Sequence, residues 1–388
     1  MLAIALSSTM FANVFINGAA FLIPTLHERR GLDLADAGLI SAMPSIGMVF
    51  TLFAWGYAVD RLGERLVLAL GSALTAAAAF AAAAANTLTL TSAFLLIGGM
   101  AAASSNSASG RLVVGWFPAE RRGLAMGIRQ TAQPLGVGLG ALVIPRLAQS
   151  HGIGAALLFP AIVCAAAAIV SAVGVLDPPR PPREQAPPED LASPYRGSDV
   201  LWRIHAVSVL LVVPQVVVWT FTLVWLMTDR GWSAGAAGTL VTVAQVLGAL
   251  GRVAAGRWSD IVGSRLRPIR TIAAAAALTM GLLALADLWR SPVSVVVMVV
   301  ASVVTVSDNG LAFTAIAEIA GPFWAGRALG TQNTSQLLTA GIAPPLFGAL
   351  IGVAGYATAF AVCAVFPLVA MPLVPVNAAG KQLPEGIE

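Results

Sequence analysis

The stretch GYAVDRLGERL, residues 56–66, crowds Asp60, Arg61, Glu64 and Arg65 together in a chain that is only 10% charged. Apolar residues make up 58% of its 388 positions, and mean hydropathy is +0.84, well outside the range of water-soluble domains. The apolar residues come in blocks of about twenty, the length a helix needs to cross the hydrocarbon of a bilayer. The charges at 60–65 fall in a gap between two such blocks, so the chain reads as an all-α membrane protein with this stretch in a loop.

Marking apolar runs bounded by charge, proline or glycine-rich turns predicts twelve spans, near 4–26, 38–59, 66–86, 90–116, 122–146, 154–176, 203–227, 236–258, 270–288, 293–319, 325–350 and 354–375. Six lie on each side of DPPRPPREQAPPEDLASPYRGSDV, residues 177–200, where proline and charge predict an extended, solvated linker. The expected organisation is an N-terminal six-helix bundle over 1–176, a cytoplasmic linker over 177–200, a C-terminal six-helix bundle over 201–376 and a cytoplasmic tail over 377–388. The opening residues lack a basic n-region and run too long for a signal-peptide core, so they are read as the first span, with almost no tail before it.

The net charge of +4 rests on 22 basic residues, of which Lys381 is the sole lysine. The arginines sit mostly in short loops and so read as topology signals, not as a nucleic-acid footprint. With both termini in the cytoplasm, the inside loops collect Arg61, Arg65, Arg121, Arg122, Arg257, Arg265, Arg267, Arg270 and Arg327, among others, and the outside loops hold Arg29, Arg30, Arg146, Arg230 and Arg290. That bias favours cytoplasmic termini, and the arginine-rich, lysine-poor composition suggests a bacterial plasma (inner) membrane. Cys164 and Cys363 each sit alone within a span, which points away from a disulfide framework or a metal site. The sequence contains no HExxH, GxSxG, Walker loop or CxxC, and its two halves offer no ring of like residues. An enzyme, an ATP-driven pump and a channel are therefore all disfavoured, and no cofactor is expected.

A shift of 200 residues lays GRWSDIVGSRL, residues 256–266, over the opening stretch, matching Gly56, Asp60, Gly63, Arg65 and Leu66 with Gly256, Asp260, Gly263, Arg265 and Leu266. The same shift matches Phe21, Leu26, Arg30, Gly31 and Gly38 with Phe221, Leu226, Arg230, Gly231 and Gly238. A shift of 203 brings Asn106, Gly123, Gly127 and Thr131 over Asn309, Gly326, Gly330 and Thr334. The second half repeats the first in the same topology.

This pattern, GxxxDRxGxR after the second span and its echo after the eighth in a twelve-span chain, resembles the major facilitator superfamily. The resemblance implies two six-helix bundles related by a pseudo-twofold along the membrane normal, a small-molecule substrate bound between them, and alternating access by a monomer. It also implies that Asp60 faces the start of the eleventh span, around Trp324 to Arg327, and that Asp260 faces the start of the fifth, around Arg121 to Gly123. Gly56, Asp60, Arg61, Gly63, Arg65, Arg111, Asp260, Gly263 and Arg265 would form a cytoplasmic gate. The bland alternative is that these arginines only fix topology. Ile261 stands where the first copy has Arg61, which suggests a weaker second contact.

Ionisable groups within spans are costly, so they pair or mark a transport path. Asp308 is the acid near the middle of the tenth span, and it reads as a proton carrier or as one half of a static pair. Glu318, nearer the cytoplasmic end, snorkels or joins the gate. Arg111 and Arg252 lie close enough to that face to pair with the Asp60 and Asp260 clusters. Arg129 lies deeper and reads as a substrate anchor, a partner for Asp308, or a packing residue. Asn13, Asn17, Asn106, Gln130, Gln133, Gln215, Trp219, Asn309, Gln332, Asn333 and Gln336 are the further candidates for a cavity lining, or else for interhelical hydrogen bonds.

The net basic interior favours a small organic anion such as a carboxylate, moved with protons. WFPAERRGLAMGI, residues 116–128, resembles organic-anion and cyanate-type members of the superfamily. Proton-driven efflux of drugs or metabolites is the alternative. The spacing of Gly127, Gly136 and Gly140 resembles the drug/proton antiporter motif, and these glycines would let the fifth and eighth spans approach closely. Ala141 departs from that motif where it has proline, as do Ile144 and Pro145 where it has paired glycines.

Overall fold

The computed structural model describes residues 1–179 and 183–376, and the regular structure among them is helical. Among the described residues, ten helices are long and apolar enough to cross a membrane. Two of these contain a glycine with non-helical backbone, Gly152 (φ 86°) and Gly355 (φ 79°), and divide there, so the ten become twelve. In order they are α1 Leu2–His27, α2 Asp36–Leu62, α3 Glu64–Ala84, α4 Leu88–Trp116, α5 119–151, α6 153–174, α7 Val200–Thr228, α8 Gly235–Val262, α9 Leu266–Leu288, α10 Val293–Ala320, α11 325–354 and α12 356–373. Each expected span has its helix. The expected tail, 377–388, lies outside the described residues.

Four helices depart from a continuous α-helix where the hydropathy pattern predicts continuity. α1 tightens to a 3-10 stretch over Ala19–Leu22, α4 breaks at Ala103, α5 at Gln130 and Thr131, and α10 over residues 305–308. The breaks in α4 and α10 fall at matching places in the repeat. Both sites are rich in small hydroxyl and amide residues that bond the backbone themselves: Ser105 Oγ donates to the Ala102 carbonyl, and Thr305 Oγ1 and Ser307 Oγ donate to the carbonyls of Ala301 and Val303. Such bonds compete with the helical ladder. The linker is not wholly extended, because Pro188 opens a single helical turn, Pro188–Leu191, at a position where its missing N–H costs nothing.

The chain clusters into two compact units. Unit 1 comprises Met1–Pro118, Ile128–Ala192 and Ala320–Thr334; unit 2 comprises Ala119–Gly127, Ser193–Ile319 and the described residues from Ser335. The first turns of α5 thus belong to unit 2, and those of α11 to unit 1.

In unit 1 small residues bring helices into close contact. A Cβ on Gly47 would lie 2.1 Å from the Leu96 carbonyl oxygen, and one on Gly99 would lie 2.0 Å from that of Pro44, so α2 and α4 touch backbone to backbone. Unit 2 packs around large side chains: Trp225, Phe360, Phe347, Met280 and Met298 fill one cluster, in which the Trp225 and Phe360 rings meet edge to face at 6.2 Å. At one end of this cluster Asp287 accepts from Trp225 Nε1 at 2.8 Å and pairs with Arg230.

Candidate functional site

In unit 1 the stretch 56–66 runs from the end of α2 into α3. Asp60 is buried and accepts hydrogen bonds from the backbone N–H groups of Gly326 (2.8 Å) and Arg327 (3.1 Å), from Arg327 Nε (2.9 Å) and from Arg111 Nη1 (3.1 Å). A carboxylate at the first turn of α11 meets unpaired N–H groups and the positive end of the helix dipole. Arg111, on α4, also pairs with Glu64 at 3.0 Å and donates to the carbonyls of Val59 and Pro322. Arg327 lies 3.4 Å over the Trp324 ring. Close approach is possible because Gly56 and Gly326 face each other; a Cβ on either would lie 2.3 Å from the other's carbonyl oxygen.

Unit 2 repeats the arrangement. Asp260 accepts the N–H groups of Gly123 (2.9 Å) and Leu124 (2.8 Å) at the start of α5, together with Arg265 Nη1 (2.5 Å). Gly123 faces Gly256 as Gly326 faces Gly56. Arg265 reaches Glu318 at 3.3 Å, and Glu318 reaches Arg122 at 3.4 Å. Burial opposes the Arg265 charge, but Glu318 and Asp260 outweigh it and hold the guanidinium above the usual arginine range. Gly263 (φ 64°) closes α8 in the left-handed conformation.

The sequence-predicted residues do not all join these clusters. Arg61 is exposed and lies 5.2 Å over the Tyr57 ring, so the Ile261 that replaces it in the second copy removes nothing from the Asp260 cluster. Arg65 bonds the Ala172 carbonyl, and its N–H donates to Asp177, whose carboxylate occupies the space where a Cβ on Gly63 would sit. Glu64, which the sequence shows only as one of the charges crowded at 60–65, is a buried partner of Arg111. Arg252 is a correction. Its charge is felt by Asp308, and its guanidinium lies 5.8 Å from the Trp219 ring, so it belongs with the deep acid and not with a cytoplasmic cluster.

Deeper in unit 1, Arg129 is 2% exposed. Its Nε and Nη2 donate to Ser109 Oγ at 3.0 and 2.9 Å, Nη2 also to the Asn106 carbonyl at 3.0 Å, and Nη1 to Gln130 Oε1 at 2.7 Å. Ser109 also receives Thr9 Oγ1 from α1, where Asn17 donates to Asn13. In unit 2, Asn309 donates to Gln215 at 3.0 Å and receives Gln336 at 3.3 Å, linking α7, α10 and α11. Asp308 stands beside this chain at the α10 break. Asn333 is not drawn in; its side chain bonds its own helix at Leu329. Gln332 is fully buried in unit 1, and Gln133 is half-buried. Gly127 does pack on α8, at the Arg252 carbonyl, but Gly136 packs on α1 at Met10 and Asn13, so this row of glycines serves two helices.

A helical, membrane-spanning chain built from two like repeats, each closed by an aspartate on a glycine-bearing helix start, has the architecture of a secondary transporter. A family model described as Major Facilitator Superfamily matches residues 2–344, and the chain belongs to that superfamily of transporters. It is 59% identical over 385 residues to an uncharacterized MFS-type transporter of Mycobacterium tuberculosis, covering 99% of this chain and 85% of the relative. A glycerol-3-phosphate transporter of Bacillus subtilis is 30% identical over 175 residues, 43% of this chain and 39% of that protein. The solved proton:xylose symporter XylE shares the fold with a TM-score of 0.75 at 18% identity, over 98% of this chain and 95% of that one.

Proposed function

We propose that the chain moves a small organic anion, such as a carboxylate, across the plasma membrane by alternating access coupled to protons, with Arg129 as the anion's anchor. The carrying observation is the buried Arg129 guanidinium held by a hydroxyl, an amide oxygen and a backbone carbonyl. A guanidinium deep in a membrane protein is expensive, and its planar fork matches a carboxylate or phosphate better than it matches these neutral acceptors. The partial likeness to a transporter named for glycerol 3-phosphate, an anion, supports the same class. Asn13, Asn17, Asn106, Gln130, Gln133, Gln215, Trp219, Asn309, Gln332, Asn333 and Gln336 are the polar surface offered to the substrate.

In this reading Asp308, beside Arg252 at the α10 break, carries the proton. The Asp60 and Asp260 clusters form the cytoplasmic gate between bundles 1–176 and 201–376, both termini are cytoplasmic, and the transporter works as a monomer.

The test is ligand-induced thermal stabilisation of the purified protein at about pH 5.5 and about pH 7.5, comparing small carboxylates with lipophilic cations. Saturating ligand that binds only the folded state should stabilise by about 3 kcal/mol. Carboxylates should shift the wild type but not R129A, and D308N should lose the difference between the two pH values. A shift with lipophilic cations alone, equal in R129A, would make the protein an exporter and Arg129 a packing residue.

A further inference from the structure

The hairpin between α8 and α9 carries three arginines that the Asp260 cluster does not use. Arg257 lies five residues before the end of α8, about 7.5 Å along the axis. Arg267 and Arg270 lie in the first turns of α9, three residues apart and so on one face. All three are exposed, and among the described residues none of their guanidinium groups makes an ion pair or hydrogen bond. Of the acids at this end of unit 2, Asp260 and Glu318 are already engaged by Arg265, Arg122 and the start of α5, and Glu120 is exposed in the first turn of α5.

Beside Arg257 stands the half-exposed Trp258; farther from the hairpin than these, α8 exposes Leu247 and Leu250, and α9 runs on from Arg270 to exposed Leu278 and Leu282. Basic and indole side chains bordering exposed apolar helix surface are the profile of a bilayer interface.

The repeat makes these arginines informative. At the matching positions unit 1 has Tyr57, Val67 and Leu70, and the arginines of its own hairpin are engaged by the protein, Arg61 over Tyr57 and Arg65 on Ala172. Closing a helix hairpin in this fold therefore needs none of the three.

We propose that Arg257, Arg267 and Arg270, flanked by Trp258, bind the phosphate of an anionic phospholipid headgroup at the α8–α9 hairpin. The guanidinium fork pairs with phosphate oxygens, the indole lies at headgroup depth, and the acyl chains run along exposed α8 and α9.

The full-length protein is reconstituted in phosphatidylcholine bilayers with or without phosphatidylglycerol, and co-purified lipid is counted by native mass spectrometry. Wild type should retain phosphatidylglycerol selectively. R257Q/R267Q/R270Q should weaken that retention by roughly fivefold per arginine, with its melting temperature in pure phosphatidylcholine unchanged. R121Q/R196Q, which removes exposed arginines elsewhere, should retain the lipid. No selectivity in the wild type, undiminished selectivity in the triple variant, or an equal loss per arginine in the control would each overturn the proposal. So would competition by inorganic phosphate at the lipid's own concentration, which would make this a free-anion site.

Discussion

The two aspartate clusters contain the same charges drawn from different places. Each holds two acids and two arginines. In unit 1 the extra acid, Glu64, comes from the α2–α3 turn and the cation Arg111 from α4; in unit 2 the cation Arg265 comes from the turn and the extra acid Glu318 from α10. Burial also differs: the Arg111 and Glu64 side chains are 5% and 0% exposed, against 28% and 23% for Arg122 and Glu318. What the repeats share is a neutral set of charges around an aspartate on a helix start, and not the identity of its outer members. The buried set cannot lose a member without stranding a charge, whereas water can shield the exposed one.

The largest effect should come from R111A, which removes one cation from a buried set that holds Asp60 and Glu64 and so unbalances its charge; it should cost about 3–5 kcal/mol in thermal or denaturant unfolding in detergent. A loss as small as a surface pair's would mean that water reaches the unit 1 cluster. D60N and D260N should each cost about 1.5–3 kcal/mol, since an amide nitrogen would face a backbone N–H that now meets a carboxylate oxygen. Similar values for the two would identify the aspartate contact as the common core of the clusters, and a large disparity would break the proposed equivalence. G326V and G256V should destabilise by about 1–3 kcal/mol, because their new side chains meet backbone that cannot yield as a side chain could. The smallest effect belongs to R122A, under about 1 kcal/mol and fading with added salt. A cost near that of R111A would erase the contrast.

Much of this was legible in the sequence because it depends on spacing. Block length marked the twelve spans and the shift of 200 residues showed two like halves, while it was the family resemblance carried by that repeat that implied Asp60 facing 324–327 and Asp260 facing 121–123. What stayed hidden depends on helix rotation. In a helix apolar all round, periodicity does not say which face a lone charge occupies, so Arg252 could be assigned by depth to the cytoplasmic cluster although its rotation takes it to Asp308. Glu64 was hidden for the same reason, since its partner Arg111 is far away in the chain. The kinks in α4 and α10 leave hydropathy untouched; the signal for them was the density of Ser, Thr, Asn and Asp around 103–109 and 305–309.

The facing glycines have a thermodynamic consequence. Where Gly56 meets Gly326 and Gly123 meets Gly256, no side chain exists to be frozen when the helices come together. Burying most other residues there would cost up to about 2 kcal/mol of rotamer entropy each, whereas glycine contributes none. These contacts can form and part without the side-chain ordering that makes most packed interfaces sensitive to temperature.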